Sequence, residues 1–103
     1  MSRKLCIQFE IRNALIMKDT LKQMGVDYNE LNADELEIRR NYNPISMNAR
    51  TGQINFDSDD QQLVDDIKQN YMVNFYKDQA IREGMQLREE RQANGEIHLT
   101  LLH

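Results

Sequence analysis

The chain is 103 residues long, 40% hydrophobic and 29% charged, and its thirteen Lys+Arg against seventeen Asp+Glu leave a formal charge of -4. That length predicts a single domain, residues 1–103, and the acidic balance argues against coating nucleic acid by phosphate neutralisation. One cysteine, Cys6, rules out an internal disulfide, and the longest aliphatic run, Ala14-Leu15-Ile16-Met17, falls far short of the ~20 residues of a membrane helix, so a cytoplasmic domain with no membrane segment is expected.

Residues 4–11 alternate strictly, with Leu5, Ile7, Phe9 and Ile11 on one side and Cys6, Gln8 and Glu10 on the other. Period two predicts a strand with one buried face. Asn13 suits an N-cap, Ala14, Met17, Leu21 and Met24 follow at helical spacing, and Gly25 supplies the left-handed residue that ends the helix. Residues 26–33 read as a short extended piece or a loop. Leu36, Ile38, Arg40 and Tyr42 alternate with Glu37, Arg39 and Asn41, giving a second strand. Asn43-Pro44 stops it, because proline lacks an N–H and constrains the residue before it. The Asn-rich stretch up to Gly52 reads as a loop, and residues 53–57 as a third strand with Ile54 and Phe56 inward.

Ser58 and Gln61 have capping-box spacing, and Asp59 and Asp60 complement the positive end of a helix dipole. A helix is therefore predicted to open at Ser58 and to run to Glu83, before Gly84, with Leu63, Val64, Ile67, Tyr71 and Phe75 as its apolar stripe. Its length would be about 37 Å, more than a domain of this size can cover, which predicts an overhang or a bend near Tyr71-Met72-Val73. Residues 85–92 and 96–102 flank Ala93-Asn94-Gly95, a hairpin signal. A two-residue turn would pair Gln92 with Ile97, whereas a three-residue turn with Gly95 as a bulge pairs Arg91 with Ile97, Glu89 with Leu99 and Leu87 with Leu101. Only the second puts Leu87 on the apolar face, so the bulged turn is expected. The order strand, helix, strand, strand, helix, strand, strand predicts an α+β, ferredoxin-like split βαβ sandwich (β-α-β-β-α-β) with an extra C-terminal strand and both helices on one face of an antiparallel sheet.

The opening strand Ile7-Gln8-Phe9-Glu10-Ile11 and the stretch from Leu21 to Gly25 resemble the N-terminal half of the hypothetical chloroplast reading frame thirty-five family. Tyr71, Ala80, Gly84, Glu89, Glu90, Gly95, Glu96-Ile97 and Leu99 fall where that family shows Tyr, Ala, Gly, paired acids and a Gly-x-Ile-x-Leu hairpin. The family comprises small cyanobacterial and plastid proteins, catalogued as a domain of unknown function, so the resemblance implies a shared fold and carries over no catalytic residue. It also implies a cytoplasmic, stromal or infected-host location. The chain departs from the family in having no tryptophan and a shorter central region, and its Asn and Met content fits a compact copy in a cyanobacterial phage.

Spacing excludes several chemistries. Counted from Asp57, a calcium loop needs Gly at the sixth position and Glu at the twelfth, but the chain has Gln62 and Lys68. His98 and His103 have no cluster of further ligands at metal spacing, Cys6 has no Cys-x-x-Cys partner, and no Gly-rich phosphate loop is present. No metal or cofactor is expected. A ferredoxin-like sheet binds RNA by stacking bases on aromatics of its open face. Here the alternation assigns Phe9 and Phe56 to the helix-covered side and leaves Cys6, Gln8, Glu10, Glu37, Arg39, Gln53, Asn55, Arg88, Glu90, His98 and Thr100 on the open one, so base stacking is not expected. Met72, Val73, Tyr76 and Ala80 form a second apolar face on the long helix. That face either docks a partner or another copy, or enters the core through a bend. The resulting expectation is a small non-catalytic protein-interaction or regulatory module, using that helix face or a sheet edge to bind a protein partner or a second copy. The alternative is a small-ligand-binding protein or enzyme that uses Arg39, Arg88, Glu90 and His98 on the open sheet face.

Overall fold

A computed structural model describes residues 3–84, 86–93 and 95–102, with the side chains of residues 86–88, 101 and 102 not described. Met85, which opens the expected hairpin segment 85–92, the turn residue Asn94 and His103 lie outside the described residues. The first strand, β1, is Lys4–Gln8. Its ladder continues one step further, since the Phe9 N–H donates to the Gly52 carbonyl at 2.8 Å. Helix α1, Ala14–Gln23, opens as expected at Asn13, whose Oδ1 accepts the N–H groups of Leu15 and Ile16 at 3.0 and 3.3 Å. It closes on Gly25, with Val26 N–H donating to the Leu21 carbonyl and Gly25 N–H to that of Lys22.

Four short strands follow: β2 (Asn29–Glu30), β3 (Glu35–Ile38), β4 (Ile45–Asn48) and β5 (Gln53–Asp57). The expected strand over residues 36–42 stops at Ile38, because Arg40 turns to an ion pair with Asp60 at 2.9 Å and Tyr42 stands in solvent. Strand β4 replaces the expected loop. Its Ile45 and Met47 are buried, and Pro44 just before it offers no N–H where none is needed. The turn to β5 needs Gly52, whose φ is +79° and whose missing Cβ would lie 3.0 Å from the Phe9 carbonyl oxygen.

A 3-10 turn over Ser58–Asp60 leads into helix α2, Gln61–Arg82. The capping residue is Asp57, one place earlier than expected, with its Oδ1 accepting the Asp59 N–H at 3.1 Å. Ser58 is drawn instead to the start of β1, where its hydroxyl accepts the Arg3 N–H and its own N–H donates to the Arg3 carbonyl. The final strands, β6 (Gln86–Arg91) and β7 (Ile97–Leu102), pair Arg91 with Ile97, Glu89 with Leu99 and Leu87 with Leu101. This is the register expected for the bulged turn. Gly95 has φ +90°, its N–H donates to the Gln92 carbonyl, and Gln92 N–H donates to Glu96.

The fold is α+β, with a five-stranded sheet ordered β1-β5-β4-β3-β2 and antiparallel throughout. Helix α1 carries the chain from one edge to the other, and the meander β2 to β5 returns it beside β1. That order differs from a simple split βαβ unit, and β6 and β7 form a sheet of their own instead of extending the first. The hairpin stands at the far end of α2, whose 22 residues span about 33 Å and carry the chain beyond the sheet. The molecule is accordingly elongated: 46 Å in its longest dimension, with a radius of gyration of 14.5 Å against roughly 13 Å for a compact chain of this length.

Both helices cover one face. Met17 and Leu21 of α1 and Val64, Ile67 and Tyr71 of α2 meet Leu36, Ile38, Ile45, Met47, Ile54 and Phe56 of the sheet in one buried cluster. Tyr71 ties the layers together. Its ring meets Phe9 edge-on and stacks near Phe75, while its hydroxyl accepts the Arg12 and Asn13 N–H groups at 2.9 and 3.3 Å.

Candidate functional site

The second apolar face of α2 is occupied by the chain itself. Val73 is 4% exposed and Ala80 2%, although neither belongs to the main core cluster. On the same side of the helix, Gln69 Nε2 donates to the Gly95 carbonyl at 3.1 Å and Lys77 Nζ meets Glu89 at 2.7 Å. The β6–β7 hairpin lies along α2 there, with Ile97, Leu99 and Glu89 half-buried and Glu90, His98 and Thr100 exposed. Met72 packs against the main core, and only Tyr76, 38% exposed, keeps a substantial apolar surface. Of the expected partner-binding residues Met72, Val73, Tyr76 and Ala80, the chain itself therefore covers Met72, Val73 and Ala80, and Tyr76 alone stays exposed. The Lys77 ammonium bonded to Glu89 holds that carboxyl below its ordinary range, opposed by partial burial and helped by Arg91 at 3.1 Å.

The four polar residues of the alternative site do not share a face. Arg39 lies beyond the end of β3, on the wall of a cleft of about 760 Å³ between the α1–β2 connection, Leu63 and residues 38–41. Glu90 and His98 face each other across the separate hairpin, as do the backbones of Arg88 and Thr100. The Arg88 side chain lies outside the described residues. What the open face of the main sheet does carry is Cys6, Gln8, Gln53, Asn55, Ser46, Asn48, Glu35 and Glu37, an amide-rich surface. Phe56 is buried and Phe9 is packed against the core, as the alternation predicts, so neither of these rings stands on that face.

The two edges of the sheet differ. The β2 edge is two residues long and carries Glu30, which meets Lys18 at 3.4 Å, a short and charged edge of the kind that resists pairing. The β1 edge is five residues long, has no proline, and carries one charge, Lys4. In an antiparallel ladder, alternate residues turn both N–H and C=O to the same neighbour. Arg3 and Phe9 at the two ends bond to the β5 side, at Ser58 and Gly52. The odd residues of β1 thus serve β5, and the N–H and C=O groups of Lys4, Cys6 and Gln8 point away from the sheet, with no partner among the described residues. Beside that row, Leu5 and Ile7 are only half-buried.

Alternation alone gives no sign of which strand ends at an edge, so the sequence pattern does not reveal this row. The parity of the unpaired groups follows only from the observed pairing with β5. Among the described residues no group of three or more His, Cys, Asp and Glu is arranged to hold a metal, and no helix is long and apolar enough to cross a membrane. No protein-family model matches the chain, nor does any curated protein or solved structure.

Proposed function

We propose that the chain is a non-catalytic protein-binding module that takes a strand of its partner onto the outer edge of β1. The observation that supports this reading is the row of outward N–H and C=O groups on Lys4, Cys6 and Gln8. Strand addition draws its affinity from such main-chain bonds and its selectivity from alternate side chains, here Leu5 and Ile7 on the helix side. The arrangement of the fold favours the same edge. In a split βαβ sheet the last strand pairs beside the first; in this chain the last strands are held on α2, and among the described residues no strand takes the place next to β1. The likeness to the reading frame thirty-five family belongs to the same proposal. It rests on residues with structural roles, such as Tyr71 in the core and Gly84 and Gly95 in turns of positive φ, and so supports kinship of fold with a cyanobacterial, plastid or phage-borne group.

The test is a pair of baits, wild type and Gln8→Pro, presented to a cyanobacterial lysate. Proline at position 8 removes an N–H that β5 does not use, so the sheet stays intact while the edge is blocked. A protein held by the wild type and lost with Gln8→Pro is the expected result; equal retention on both by a chain that is also monomeric overturns the reading.

A second reading has one observation in its favour. Arg40 is held by Asp60, but exposed Arg39 on the same cleft wall has no ion-pair partner among the described residues. A free guanidinium beside Tyr28 and Asn41 suits a small anion. Titration with phosphate, followed by the chemical shift of the Arg39 side chain, checks it, and no shift at millimolar anion removes it.

A further inference from the structure

Resting on the edge reading above, we propose that the partner of β1 is β1 of a second copy of this chain, in one antiparallel register centred on Ile7. Parity restricts the choice. The outward bonds come from even-numbered residues, so even must face even across the two-fold axis, and only registers centred on Leu5, Cys6 or Ile7 keep several pairs in play.

Side chains select among these. Centring on Ile7 sets Lys4 opposite Glu10 of the second copy, twice by symmetry, and places Cys6 opposite Gln8 on the amide-rich face. On the helix side Ile7 meets Ile7 of the second copy, and Leu5 meets Phe9, so half-buried apolar groups cover one another. Centring on Cys6 also matches Leu5 with Ile7, but it sets Lys4 opposite Gln8 and Phe9 opposite Arg3 and gives Glu10 no basic partner; centring on Leu5 sets Lys4 opposite Cys6 and matches less. Glu10 is free to take the new contact. Its present bridge to Arg12, at 3.1 Å, joins side chains 74% and 61% exposed, and such bridges hold weakly. The Phe9 bond to Gly52 keeps the chain extended as far as that position. The product is one continuous ten-stranded sheet, with the helices of both copies on the same side.

Sedimentation of the purified chain over a dilution series reads the dimer directly, and three variants read the register. Lys4→Glu places like charges together at two symmetric points and is expected to weaken the dimer about ten-fold at low salt. The double variant Lys4→Glu/Glu10→Lys is expected to restore it. In a Cys6→Ser background, Ile7→Cys should be locked by oxidation as a covalent dimer, because directly opposed non-bonded pairs lie ~4.5 Å apart at Cα. Wild-type Cys6 should not be, since the two copies of Cys6 would sit on a diagonal beyond disulfide reach.

A chain that stays monomeric at all concentrations overturns the self-pairing, as does a dimer that Lys4→Glu leaves unweakened or that oxidation locks through wild-type Cys6. Failure of the edge reading is a separate result. A monomer whose wild-type bait still loses its captured protein on Gln8→Pro keeps the edge and rejects the second copy; a monomer whose two baits behave alike rejects both.

Discussion

Along α2, the first and second halves are buried by different partners. From Gln61 to Tyr71 the helix lies on a five-stranded sheet and shares its buried cluster with α1. Further along, one side still meets the main body, where Asn74 donates to Thr20 and Gln23 of α1 and Phe75 packs on the core. The other side, from Gln69 through Val73 and Lys77 to Ala80, is covered by a two-stranded hairpin that among the described residues bonds to no other strand. Two strands alone are marginal in water. The hairpin therefore draws its stability from α2, through Val73, Ala80 and the half-buried Ile97 and Leu99, with polar ties at Gln69 and Lys77. One amphipathic helix thus serves as core element at one end and as scaffold at the other, and the two ends should open at different free energies.

The widest separation between the two is expected from Ile67→Ala. Ile67 is fully buried in the main cluster, and truncation there should cost about 2–5 kcal/mol and lower the denaturant midpoint of the entire chain. Next comes Gly52→Ala, at about 1–3 kcal/mol, because alanine must adopt a positive φ while its Cβ crowds the Phe9 carbonyl. This too should appear in global unfolding, and with it faster amide exchange in β1, whose ladder ends at Gly52. A loss confined to the hairpin amides in either variant would break the distinction between the two halves. Tyr71→Phe is gentler. It removes the acceptor of two N–H groups that solvent can partly reach, and is expected to cost about 1 kcal/mol, seen as faster exchange at Arg12 and Asn13.

The same contrast explains what could be read from the residues. The Asn13 cap, the Gly25 stop, the stripe of α2 and the hairpin register are local, and each is written in neighbouring positions. Strand order is not local. Edge and interior strands alternate alike, so Leu5–Ile7 in the edge strand β1 and Ile54–Phe56 in the interior strand β5 carry the same signal. Strand β4 escaped because its four residues, from Ile45 after Asn43-Pro44 to Asn48 at the turn, resemble a loop, although Ile45 and Met47 do alternate with Ser46 and Asn48. The cap moved to Asp57 because either oxygen can accept, and Ser58 has a competing partner in Arg3. Met72, Val73, Tyr76 and Ala80 do reveal an apolar surface, but such a pattern is silent on what covers it. The clue lay elsewhere, in the equally unpartnered Ile97 and Leu99 of the hairpin.

The smallest effect tests the hairpin alone. Lys77 and Glu89 join α2 to β6, with side chains 45% and 20% exposed, so Lys77→Met should cost only about 0.5 kcal/mol after solvent screening. The cost should appear as faster exchange of β6 and β7 amides with the core unchanged. Its pH dependence has a definite sign. The carboxyl of Glu89 is held below its ordinary range mainly by Lys77, so the folded state keeps it ionised where the unfolded chain begins to take up a proton. The contribution is full above the unfolded value and fades as pH falls through the lowered folded one. Hairpin exchange in the wild type should thus approach that of Lys77→Met on acidification and differ from it at neutral pH. A difference that instead persists to the acid end would assign the Lys77 effect to packing of its aliphatic stem against the hairpin, and the two halves of α2 would then differ in covered area more than in charge.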